Sequence, residues 1–206
     1  MLLKGLYAIT DEKLTPDNTI IEQVQTALIA GVKILQYRNK TDIDDDVEAI
    51  CIQLQQLCTT HGATFVIDDR PYLAQKIDAD GLHIGKDDIT LQEARAIFPK
   101  GTIGVSCYGS IKKALEAQGE GADYVAFGSF FPSPTKPHSG IVSMSVLRKA
   151  REALSIPICA IGGINVTNIH EIAAYHPDMI SLVSAVWEGD IKRNITQLRQ
   201  GIGACS

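Results

Sequence analysis

Residues Ala122–Pro137 read A-D-Y-V-A-F-G-S-F-F-P-S-P-T-K-P. The run Tyr124–Phe127 is short, continuous and apolar, as a parallel strand buried on both faces should be. Gly128 turns the chain. The loop beyond it holds Pro132, Pro134 and Pro137, which limit its freedom. Ser133, Thr135 and Lys136 offer that loop neutral and charged donors for oxyanions. A helix-period segment, Ser143–Leu154, follows. The plain alternative is a proline-stiffened surface loop with incidental polar residues.

The same strand–loop–helix unit recurs in both directions. Further candidate strands are Leu6–Thr10, Ile34–Arg38, Thr64–Asp68, Gly81–Ile84, Ile103–Ser106, Ile158–Ile161 and Ile180–Ser184. Thr19–Ala30 places Ile20, Val24, Ala27 and Leu28 at helical spacing and stops at Gly31. Asp44–His61 repeats the pattern with Val47, Cys51, Leu54 and Leu57. A very short helix fits near Pro71–Lys76, and longer ones fit Leu91–Phe98, Ile111–Gln118, Thr167–Ala174 and Ile191–Ile202. Eight such units, with no linker or low-complexity stretch, predict a single-domain (β/α)8 TIM barrel over residues 1–206. The competing open doubly wound sheet usually has a Gly-rich loop after its first strand, and here that strand runs into Thr10-Asp11-Glu12.

Composition narrows the partners. Net charge is −5 and no basic stripe occurs, so small molecules rather than nucleic acid are the expected partners. Any anion must then be held by a few local cations. The five cysteines are scattered and form no C-x-x-C pair, which suits buried thiols in a reducing cytoplasm. The N-terminal apolar stretch is too short for a signal peptide, and no apolar run approaches the roughly 20 residues of a membrane span. A homo-oligomer is compatible with the chain, which sets no subunit number.

In a barrel of this kind the active site lies where strands pass into the loops that precede helices. Polar residues collect at those places. Gln36, Arg38 and Lys40 are spaced by two, so they share a face of an extended strand, opposite Leu35 and Tyr37. With helices outside, Gln36 and Arg38 face the barrel mouth. The alternative for these cations is a salt-bridge network closing the barrel top, although the nearby carboxylates look otherwise engaged. Asp69 and Asp88 follow adjacent strands and suit a Mg2+ ion with few protein ligands. Their structural rivals are a salt bridge from Asp69 to Arg70 and an N-cap by Asp88. Gly162 and Gly163 permit close backbone approach, and Ser184 adds a hydroxyl and an N–H near the usual phosphate seat of such barrels. His83 reads as a core or supporting residue. No H-E-x-x-H and no G-x-S-x-G motif occurs.

Taken in order, these motifs closely resemble the thiamine phosphate synthase family over nearly the whole chain. They are Y-A-I-T-D at 7–11, Q-Y-R-N-K at 36–40, D-D-R at 68–70, D-G-L-H-I-G at 80–85 with Asp88, and G-V-S-C at 104–107. The strand-6 stretch, A-I-G-G-I at 160–164 and V-S-A at 183–185 complete the set. The resemblance implies a Mg2+-dependent transferase. It would join hydroxymethylpyrimidine pyrophosphate to thiazole phosphate, giving thiamine phosphate and pyrophosphate by dissociative loss of the leaving group and capture by the thiazole nitrogen. Arg38, Lys40 and Lys136 would grip the pyrophosphate, beside Asp68, and with Ser106 make up the catalytic set. Asp69 and Asp88 would hold the metal, Gln36 and Ser106 would contact the pyrimidine, and Ser133, Thr135, Gly163, Val183 and Ser184 would seat the thiazole phosphate.

Two positions depart from the family pattern. Asp68 stands where Asn is common, and Lys86 stands where Gln is common. The charges cancel, which predicts a compensating ion pair between them. The nearest rival is the related thiazole tautomerase, which uses a histidine base expected where this chain has Ser129. A non-catalytic phospholigand sensor is the third reading.

Overall fold

A computed structural model of the chain describes residues 3–133 and 140–203. Its sheet is a closed barrel of eight parallel strands in chain order, with β1 hydrogen-bonded to β8. The strands are β1 (Gly5–Ile9), β2 (Ile34–Tyr37), β3 (Thr64–Asp68), β4 (Gly81–Ile84), β5 (Thr102–Tyr108), β6 (Tyr124–Phe127), β7 (Ile158–Ile161) and β8 (Met179–Leu182). Between them run α1 (Ile20–Ala30), α2 (Asp44–Thr60), α3 (Pro71–Lys76), α4 (Leu91–Ile97), α5 (Ile111–Gly119), α6 (Ser145–Ala153) and α7 (Ile169–Ala173). A one-turn helix α8 (Ser184–Trp187) and α9 (Ile191–Gly203) close the chain.

Strand alternation divides the core in two. Leu35, Tyr37, Phe65, Ile67 and Leu82 face outward into the layer shared with the helices. Tyr7, Ile34, Val66, Tyr124, Cys159 and Met179 fill the barrel itself. Gly104 on β5 makes room for this filling, since a Cβ there would lie 1.9 Å from the Tyr124 ring. The two phenols are 3.0 Å apart and satisfy each other. Without a partner, each would cost about 1–3 kcal/mol.

The far end of the barrel is tied by a repeated device. Asp80, Asp123 and Asp178 each precede an even-numbered strand. Their carboxylates accept the backbone N–H of Phe65, Ile103 and Ile158 at 2.8, 2.8 and 2.9 Å, near the starts of β3, β5 and β7. Arg95 and Arg151 pair with the second and third of these acids at 2.6 and 3.1 Å. These ties lie at the end of the barrel opposite the mouth.

The expected elements are all present, with changes at their ends. Arg38, Val183 and Ser184 lie past their strands. The expected helix Thr167–Ala174 starts only at Ile169, because Asn165 and Asn168 form a loop of their own. Asn168 Oδ1 accepts from Asn165 N–H at 2.8 Å, and Asn165 Oδ1 accepts from Thr167 N–H at 2.8 Å. Helix α8 had no counterpart in the sequence reading, since a single turn carries no periodicity.

Candidate active site

A cavity of about 300 Å³ opens at the C-terminal mouth of the barrel. Gln36, Arg38, Lys40, Asp68, Asp69, Asp88, Ser106, Ser133, Gly163, Val183 and Ser184 all line it. Every described residue that the sequence reading assigned to the site is therefore brought together. Thr135 and Lys136 lie outside the described residues, as does most of the second half of the loop 129–140.

The cationic wall is built from β1 and β2. Thr10 N–H donates to Gln36 O, and Arg38 N–H donates to Thr10 Oγ1, both at 2.9 Å. The ladder therefore continues past β2 and delivers Gln36 and Arg38 to the mouth. Asp68, buried at the end of β3, faces this wall. Its Oδ2 lies 3.6 Å from Arg38 Nε and 3.2 Å from Lys40 Nζ. Lys40 also contacts the Asp69 carboxylate. Two expectations need correction here. The carboxylates are not otherwise engaged, because they form an ion-pair network with the cations inside the cavity. Nor does Asp68 pair with Lys86: among the described residues its ion-pair partners are Arg38 and Lys40. β3 pairs with both β2 and β4, and the Asp68 carboxylate meets the cations that follow β2.

Both structural rivals for the acidic residues fall away. Arg70 turns outward to Asp44 at 2.6 Å and to the carbonyls of Asn39 and Asp42. Asp69 adopts a left-handed backbone with φ of 57°, and its N–H reaches His83 O at 2.9 Å. The N-cap of α4 is Thr90, in a reciprocal capping box with Glu93. Asp88 instead accepts from Gly85 N–H at 2.6 Å, at the cavity edge.

No group of three or more His, Cys, Asp or Glu able to hold a metal occurs among the described residues. Asp69 and Asp88 are nonetheless two hard oxygen donors on one cavity. That donor set fits Mg2+, which takes one or two carboxylates and completes its shell with water and phosphate oxygens.

Opposite lie the ends of β7 and β8. Gly163 has φ of +65°, and a Cβ there would meet Pro132 O at 2.3 Å and Phe131 O at 2.5 Å. The close approach read from the two glycines is thus made by the β6 loop. Asn168 Nδ2 donates to Gly163 O at 3.0 Å. Trp187 Nε1 donates to Ile9 O at 2.6 Å and pins α8 to β1, fixing Val183 and Ser184.

His83, read from the sequence as a core or supporting residue, lines the cavity itself and also holds Ser106, with Nε2 2.9 Å from Ser106 Oγ. Sequence reasoning missed Tyr7, Tyr108 and Ser181, which also line the cavity. The first sits in an apolar strand and looks like core. Ser181 Oγ is buried with no hydrogen-bond partner among the described residues. A serine inside M-I-S-L was the available signal. Burial pushes the thiols of Cys51, Cys58 and Cys107 up to about 12, so they stay protonated and unreactive.

A closed (β/α)8 barrel with a cation- and carboxylate-lined cavity at its C-terminal mouth defines a TIM-barrel enzyme. A family model described as thiamine monophosphate synthase matches residues 6–186, and the chain belongs to that family. It is 42% identical over 192 residues to the thiamine-phosphate synthase of Wolinella succinogenes, covering 93% of this chain and 89% of that one. It is 44% identical to the enzyme of the same name from Acidithiobacillus ferrooxidans, covering 92% and 89%. The solved thiamine phosphate pyrophosphorylase of Pyrococcus furiosus superposes with a TM-score of 0.90 at 36% identity, covering 99% and 98%.

Proposed function

We infer that the chain condenses hydroxymethylpyrimidine pyrophosphate with thiazole phosphate to give thiamine phosphate and pyrophosphate. The observation that carries this is the meeting of Arg38, Lys40, Asp69 and Asp88 on one cavity that also holds Gly163 and Ser184.

The C–O bond to the pyrophosphate breaks as negative charge grows on the leaving oxygens. Fixed cations stabilise that charge more than they stabilise the ground state. Arg38 and Lys40, joined by Lys136, take this role, and Asp68 holds the first two in place beforehand. Asp69 and Asp88 would hold Mg2+, which when bound neutralises further charge on the diphosphate. Gln36 and Ser106 orient the pyrimidine. Ser133, Thr135, Gly163, Val183 and Ser184 seat the thiazole phosphate and aim its ring nitrogen. That nitrogen already carries a lone pair, so the reaction needs no strong base. The reactive pyrimidine-methyl cation must be kept from water, which would turn it into an alcohol, and the proline-rich sequence after β6 would take that role. Four described cysteines are free and buried, in keeping with a cytoplasmic enzyme. Among the described residues no helix is long and apolar enough to cross a membrane.

A coupled assay tests the reading. Pyrophosphate should appear only when both substrates and Mg2+ are present, and chelation should abolish it. Conversion of thiazole tautomers alone would instead support the isomerase, and Ser129 in place of its histidine argues against that. Binding of both ligands without product would support the sensor.

A further inference from the structure

A single file of hydrogen bonds crosses the barrel interior beneath the cavity. Gln36 Nε2 donates to Tyr7 Oη at 2.8 Å, and Tyr7 Oη lies 3.0 Å from Tyr124 Oη. Tyr124 Oη lies 2.9 Å from His83 Nδ1, and His83 Nε2 lies 2.9 Å from Ser106 Oγ. The five residues come from five strands. Gln36 and Ser106, the two ends, line the cavity together with Tyr7 and His83, whereas Tyr124 is wholly buried.

Each hydroxyl has one hydrogen, and an amide nitrogen can only donate. Tyr7 therefore accepts from Gln36, and its buried hydrogen is satisfied only by being given to Tyr124, its other partner. Tyr124 gives its own to His83 Nδ1. A neutral imidazole that accepts at Nδ1 carries its hydrogen at Nε2, which points at Ser106. Ser106 Oγ accepts it and keeps its own hydrogen for the cavity. Burial raises the pKa of both phenols, so neither loses the hydrogen it passes on. The opposite direction would need the Gln36 amide turned over, and every member of the file would then reverse together.

We propose that Tyr7, Tyr124 and His83 are positioning residues that fix the direction of this file, so that Gln36 presents an acceptor and Ser106 a donor to the substrate ring. Such a floor fits a heteroaromatic ring with an amino group at one end and a bare ring nitrogen at the other. It disfavours the ring whose amino group is replaced by an oxo group. The choice of ring rests on the function proposed above, but the direction of the file does not.

The free protein, labelled with ¹⁵N at histidine, separates the two. His83 should show a bare Nδ1 and a protonated Nε2, with its signals assigned by their loss in His83→Asn. Tyr124→Phe keeps the ring and removes the link, so the Nδ1–H tautomer should become populated. Tyr7→Phe serves the same purpose should Tyr124→Phe fail to fold. A His83 that carries its hydrogen at Nδ1 in the unaltered protein overturns the proposal, as does a tautomer that neither variant changes. In turnover, losing one such link should raise KM for the pyrimidine pyrophosphate about tenfold and leave KM for the thiazole phosphate within about twofold. Equal effects on both substrates would mean a general structural role and would also overturn it. The tautomer can be read from a protein that makes no product, so a failed assay of function leaves this test intact.

Discussion

Arg38→Ala should lower kcat by about 10³-fold while the protein stays folded. The side chain is placed before substrate arrives. Its backbone N–H is held by Thr10 Oγ1 at 2.9 Å, and its Nε lies 3.6 Å from Asp68. A cation fixed in this way loses little reorganisation energy when charge develops on the departing pyrophosphate. Its removal therefore weakens the transition state more than the bound substrate, and the loss falls on kcat more than on KM. Arg38→Lys should recover only part of the rate, because a point charge does not replace the planar fork. Stability should change by about 1 kcal/mol or less, since Asp68 keeps Lys40 as a partner at 3.2 Å. Steady-state kinetics with a thermal melt as control checks this. A rate within about tenfold of the unaltered enzyme would remove Arg38 from the chemistry.

Gly163→Ala should damage both fold and site. At φ of +65° an L-residue is strained by about 1–2 kcal/mol. The new methyl would also overlap the carbonyl oxygens of Phe131 and Pro132, at 2.5 and 2.3 Å. Both contacts are backbone atoms, so no side chain can swing aside, and the β6 loop must move. We expect a loss of about 3 kcal/mol, seen as a fall in Tm of roughly 6–12 °C for a chain of this size. KM for the thiazole phosphate should rise by about 10²-fold, because the displaced loop carries Ser133. An unchanged melt together with an unchanged KM would show that the two loops do not depend on each other.

The barrel was legible because its signals are local and repeated. Short apolar strands such as Thr64–Asp68 and Gly81–Ile84 have the same limits in sequence and structure. The site was legible because spacing by two carries Gln36 and Arg38 to one face, and because strand ends are the place to look. Other features depend on contacts that spacing does not encode. Asp68 was assigned to Lys86 by charge balance, whereas β3 has neighbours on both sides and the side chain meets Arg38 and Lys40, on the β2 side. Spacing left an N-cap open as the rival role for Asp88, and only the reciprocal bonds of Thr90 and Glu93 at the start of α4 remove it. Tyr7 and Tyr124 are apolar in pattern and polar in use, and only their juxtaposition at 3.0 Å across the barrel reveals a link between them. The one-turn helix α8 is fixed by a bond from Trp187 to β1, a contact spanning almost the whole chain.

Cations from β2 and carboxylates following β3 and β4 should surround one diphosphate. A crystal structure of the protein with pyrophosphate and Mg2+ tests this most directly. It should show a metal on Asp69 and Asp88, a diphosphate between that metal and Arg38 and Lys136, and the Lys40 ammonium moved from Asp69 to a phosphate oxygen. A diphosphate bound away from the mouth, with Lys40 still on Asp69 and no metal on either acid, would contradict it.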